Sequence, residues 1–225
     1  MRRRVPLAVL LVLGWSITWP VTGPPSIVAA TPRDATARGD DPPPIGRKLR
    51  INEVDYDQPG FDTGEFVEIA NTSERRYRLR GTALVFVNGT TSAEYRRVRL
   101  SGRLGPSRLL AVASAGVEIA SKARSLPLPL ARDNVQNGAP DAVALVDVAN
   151  GVVLDAISYE GGIGEATFTD IAGTFDLVQG SPVSEADSNV DPGSLCRSPH
   201  GADSGDDDHD WTACAATPGA KSAGG

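Results

Sequence analysis

Five aspartates crowd into one glycine-containing stretch near the C-terminus, Asp203-Ser204-Gly205-Asp206-Asp207-Asp208-His209-Asp210. Carboxylates this close together on a flexible loop can supply several of the roughly six to eight oxygens that Ca²⁺ prefers. Asp203, Asp206, Asp208 and Asp210 are the candidate ligands, so calcium is the one cofactor the sequence suggests, and none is required. The spacing is not that of an EF-hand, because no Glu stands at the twelfth position and Gly205 is misplaced for the sharp turn. The competing expectation is a solvated turn whose Asp210 seats Trp211 in the core.

A second concentration has the opposite sign. Between Arg75 and Arg108 stand nine arginines and a single acid, Glu94. On strand alternation Arg76, Arg78 and Arg80 share one face, and Arg97 and Arg99 share a face with Tyr95. If those strands are neighbours, they form a basic stripe able to grip phosphate, sulfate or carboxylate groups. The alternatives are a charged sheet edge that resists edge-to-edge pairing, or a surface that binds the acidic loop of another copy.

Catalytic arrangements find little support. The chain has two histidines, His200 and His209, and lacks G-x-S-x-G, H-E-x-x-H and P-loop motifs. A metal-dependent hydrolase using Asp203–Asp210 is the alternative from another class, but no third histidine or nearby base is at hand to activate water. The two cysteines, Cys196 and Cys214, fit neither a CxxC redox site nor a zinc knuckle. In an exported chain such an even, close pair is expected to form a disulfide.

Export itself is read from the N-terminus. Arg2, Arg3 and Arg4 precede an apolar run from Val5 to Ile17, and the small residues Val28-Ala29-Ala30 suit a cleavage site. Residues 1–30 therefore read as a secretory signal peptide. Pro20, Pro24 and Pro25 interrupt the run before it reaches spanning length, so no transmembrane span is expected in the mature form. The expected location is extracellular or in the cell envelope. Loss of Arg2, Arg3 and Arg4 takes the formal charge from −6 to −9. So acidic a chain is not expected to bind nucleic acid specifically.

Residues 31–47 form a polar, proline-rich linker, and 220–225 a short tail. Between them, short apolar runs alternate with turn residues. Strands are predicted at 49–54, 65–71, 82–88, 95–100, 109–114, 142–148 and 152–158. Asn150-Gly151 predicts a two-residue hairpin turn, and Asn88-Gly89 gives a signal of the same kind. From 159 to 192 the pattern dissolves into what reads as one long loop. The fold class is all-β, an immunoglobulin-like sandwich of roughly seven to nine short strands.

Several segments together resemble the lamin tail domain family. They are Ile51-Asn52-Glu53-Val54-Asp55, Thr63-Gly64-Glu65-Phe66-Val67-Glu68-Ile69-Ala70-Asn71, Leu79-Arg80-Gly81, Leu104-Gly105-Pro106, and Gly138-Ala139-Pro140-Asp141-Ala142 through Gly151-Val152-Val153-Leu154-Asp155. The closing segment runs from Ser194-Leu195-Cys196 to Asp210-Trp211 and Thr217-Pro218-Gly219. Order and spacing carry the likeness over residues 49–219, and it implies the same sandwich over 48–219. It also implies a non-catalytic binding or tethering module, whose partner would be a protein or an envelope polymer. Self-association as a structural envelope protein is the further alternative.

Overall fold

The computed structural model describes residues 48–221. The expected signal peptide 1–30, the expected linker 31–47 and the last four residues of the expected tail lie outside them. Fourteen strands and one helical turn follow in order. They are β1 Leu49–Asp55, β2 Phe66–Asn71, β3 Tyr77–Arg78, β4 Thr82–Asn88, β5 Ala93–Arg99, β6 Arg103–Leu104 and β7 Leu109–Ala113. Then come β8 Arg124–Pro127, β9 Asp141–Asp147, β10 Val152–Tyr159, β11 Ala166–Phe168, β12 Ile171–Phe175, β13 Ser194–Arg197, α1 Asp207–Asp210 and β14 Trp211–Cys214. The seven strands expected from the sequence are present, with ends shifted by no more than two residues.

Two six-stranded sheets face each other, in the orders β14-β13-β1-β2-β7-β8 and β10-β9-β4-β5-β11-β12, and β3 pairs with β6 in a separate ribbon. The main core lies between the sheets. Leu49, Ile51 and Val54 of β1, with Val67 and Ile69 of β2, meet Leu84 and Phe86 of β4 and Val143 and Leu145 of β9. Alternation along β1 is broken once. The register shifts between Ile51 and Glu53, so Asn52 is the extra residue of a β-bulge and Glu53 emerges on the outer face opposite Glu68.

The central strands of the second sheet are covered on their outer face as well. Ala83, Val85 and Val87 of β4 pack outward with Ala142, Ala144 and Val146, and Ala166 and Phe168 of β11 close over them. Phe168 stacks on Phe175 at 4.5 Å, which fixes the β11–β12 hairpin as a lid on this second core. That hairpin corrects the expectation of an unstructured stretch from 159 to 192. The continuous apolar runs of β4 and β9 are those of strands buried on both sides.

The turn expectations also need correction. Asp147 pairs with Val152, so the connection carrying Asn150-Gly151 holds four residues rather than two. Gly151 takes a positive φ of 63°, and the Asp147 carboxylate accepts from the Asn150 main-chain N–H at 3.2 Å and from its Nδ2 at 2.9 Å. Asn88 likewise pairs with Ala93 across four residues. Gly89 is required there by close approach, since a Cβ would lie 1.9 Å from the Pro140 carbonyl oxygen.

Candidate functional site

The aspartate loop is a clamp. Asp206 Oδ1 accepts from Ser181 N at 3.0 Å, Asp207 Oδ2 from Gln179 N at 2.8 Å, and Asp208 Oδ1 from Ser184 N at 2.9 Å. Asp207 and Asp208 return main-chain bonds to Gln179 O and Ser181 O. Asp203 is paired with Arg50. The four proposed calcium ligands thus point apart toward different donors. Among the described residues no three His, Cys, Asp or Glu side chains are grouped so as to hold a metal ion. Burial raises the Asp207 carboxyl to about 6, while the Ser184 hydrogen bonds hold Asp208 below the ordinary range.

Asp210 belongs to a different constellation. Arg197 is fully buried, donating to Ile51 O at 2.9 Å, Asp155 Oδ1 at 3.0 Å, Asp210 Oδ2 at 3.3 Å and Ala202 O at 2.8 Å. Its guanidinium lies 4.8 Å from the centre of the Trp211 ring. The expected seating of Trp211 therefore works through Arg197, which the sequence alone did not single out. Burial raises the Asp155 carboxyl to about 6, against the pull of Arg197, Arg50 and the Ile51 N–H. Asp210 is held below its ordinary range: burial opposes this, but the Ser204 hydrogen bonds and Arg197 outweigh it. Neither histidine bonds a serine hydroxyl among the described residues; His209 Nδ1 sits 3.4 Å from Asp210 Oδ1.

The arginines are not gathered as alternation suggests. Tyr95 is the extra residue of a bulge, since Arg96 pairs with Phe86 but Glu94 with Val87. Its ring packs against the inner core and its hydroxyl accepts from Gln136 N at 2.9 Å. Arg97 and Arg99 lie on the opposite face, paired with Val85 and Ala83. Arg97 donates to Glu94 Oε1 at 2.8 Å and to Thr169 O at 2.7 Å, tying down the turn of the β11–β12 hairpin. Arg78, in β3, is half-buried, and Arg80, just beyond it, is exposed.

Arg76 has other company. With Arg103, Arg108, Lys122 and Arg124 it lines an open cleft of about 220 Å³ beside β6 and β7. The Lamin Tail Domain family matches residues 42–161, more than half of the chain. The chain belongs to the lamin tail domain family. No curated protein matches it. The family is generally non-catalytic, and the two facing sheets are those of its immunoglobulin-like sandwich. Beyond the matched residues, Cys196 and Cys214 form a disulfide with Cα atoms 6.1 Å apart, bonding across β13 and β14 and hinting at an oxidising compartment. Among the described residues no helix is long and apolar enough to cross a membrane.

Proposed function

We propose that this lamin tail domain is an exported, non-catalytic binding or tethering module that holds a protein or an envelope polymer by its surface. The division of its charges carries the reading. Interior acids are committed to the scaffold: Glu65 accepts from Asn134 N and Val135 N, Asp187 from Tyr56 N, and Asp155 from Ile51 N. Hydrogen bonds of this kind give these carboxylates a part in holding the scaffold. The cations of the β6–β7 cleft, by contrast, make no ion pair among the described residues and are open to a partner.

Family membership supports the same conclusion at the level of fold, and fold alone assigns no partner. The test is cross-linked affinity capture on solubilised envelope material with the full chain as bait, run in calcium and again in chelator. Recovery of a defined partner in stoichiometric amount supports the reading. Empty eluates, together with salt-sensitive oligomers of the chain itself, would replace it by self-association.

A further inference from the structure

The β3–β6 ribbon places two like charges face to face. Arg78 is registered opposite Arg103. Directly opposed residues of an antiparallel pair have Cβ atoms about 4.5–5.5 Å apart, and like charges there are destabilising. Arg78 Nε is moreover buried with no hydrogen-bond partner. The adjoining cleft adds Arg76, Arg108, Lys122 and Arg124, and no acid lines it. Such a convergence of donors and positive charge favours an anionic partner.

The cleft is braced from beneath. Asn71, buried at the end of β2, donates through Nδ2 to Arg75 O at 2.6 Å and Gly105 O at 2.7 Å, and through its main-chain N–H to Arg108 O at 3.0 Å. One buried amide thus fixes the loops that carry Arg76 and Arg108. Arg124 lies across Gly102 and donates to Arg103 O at 3.2 Å; a Cβ on Gly102 would meet its guanidinium at 2.2 Å. Main-chain bracing of this kind fixes the backbone positions from which the cationic side chains reach, and the Arg124 guanidinium is itself held by its bond to Arg103 O.

We infer that the cleft bounded by Arg76, Arg103, Arg108, Lys122 and Arg124 binds the sulfate or phosphate groups of an anionic glycan polymer. The inference rests on the tethering reading above and names its partner class. Arginine forks pair with two oxygens of a tetrahedral oxyanion at once, which suits this ligand chemistry. Nucleic acid fits less well. No aromatic side chain lines the cleft to stack a base.

Anisotropy titration of the labelled full chain with a heparin-derived oligosaccharide and with a phosphate-bearing glycan tests it. Both are expected to bind saturably, with affinity falling steeply as salt is raised. The variant Arg76→Gln/Arg103→Gln/Arg108→Gln should bind about tenfold or more weakly, as loss of charge-assisted hydrogen bonds requires. The equally altered Arg75→Gln/Arg80→Gln/Arg99→Gln should retain its affinity, and an Arg→Lys set at the cleft controls for folding by keeping the charge. Equal losses in both glutamine variants would overturn the assignment to the cleft. Tighter binding to single-stranded DNA of matched charge would overturn the ligand class. Envelope material still captured by the cleft variant would remove this site yet leave the tethering reading standing; no capture by the unaltered chain either would end both.

Discussion

Glu53 of β1 and Glu68 of β2 stand opposite each other on the outer face of the first sheet, and both are out of reach of solvent. Each grips the C-terminal strap. Glu53 accepts from Thr217 N at 2.6 Å and from Thr217 Oγ1 at 2.8 Å, and Glu68 from Gly219 N at 2.7 Å. Burial pushes both carboxyls up, Glu68 to about 8, with the Glu53 charge adding to the effect. Asp55, the next outward position on β1, is also raised to about 8, by burial and then by the charges of Asp187, Glu53 and Glu65.

These raised carboxyls fix the direction of the pH dependence. Unfolded, they titrate near about 4; folded, Asp55 and Glu68 hold their protons to about 8. The native state therefore binds more protons across that interval, and their stabilisation, complete at the acid end, is lost as pH rises through 8. The melting temperature should fall steadily from pH 5 to pH 9. A flat or rising profile over that range would contradict the burial of these acids.

Arg197→Met should be among the most damaging single changes. It leaves Asp155 and Asp210 buried without their cation, a loss of about 3–5 kcal/mol. Urea denaturation measures it, and a loss under about 1 kcal/mol, the range of ordinary substitutions, would show the pair to be dispensable.

Gly89→Ala forces a methyl against the Pro140 carbonyl and should cost about 1–3 kcal/mol through backbone displacement. Gly164 has open space around its Cβ position and no positive φ. Gly164→Ala should accordingly stay within about 0.5 kcal/mol of the parent. Equal effects of the two changes would remove the close approach as the cause.

Much of the fold was legible because long strands announce themselves by apolar runs and turn residues, as Thr82–Asn88 does. What escaped was decided by contacts far apart in sequence. The bulge that turns Tyr95 inward depends on β4 across the hairpin, and strict alternation therefore put it beside Arg97. β11 and β12 are short and were hidden in a glycine-rich stretch, although the two-sided apolar character of β4 and β9 demanded some cover. Arg197 looked like any surface arginine, since only the fold brings Asp155 and Asp210 to it. At the candidate site, Arg76 was singled out with other companions: Arg103, Arg108, Lys122 and Arg124 join it through the β3–β6 and β7–β8 pairings, and β3, β6 and β8, of two to four residues, are barely signalled by the sequence.

Calcium binding by Asp203, Asp206, Asp208 and Asp210 requires those carboxylates to leave the Ser181, Ser184, Ser204 and Arg50 donors they now hold. The melting temperature should therefore be the same in millimolar calcium and in chelator. A rise of several degrees in calcium would mean that the clamp opens to take the ion.

The most direct test of the central claim is sedimentation of the full chain with washed envelope material, with soluble fragments assayed in the same tubes. A non-catalytic tether predicts saturable, salt-reversible binding and no release of fragments with time. Absence of saturable binding, or fragments that accumulate in proportion to the protein added, would contradict it.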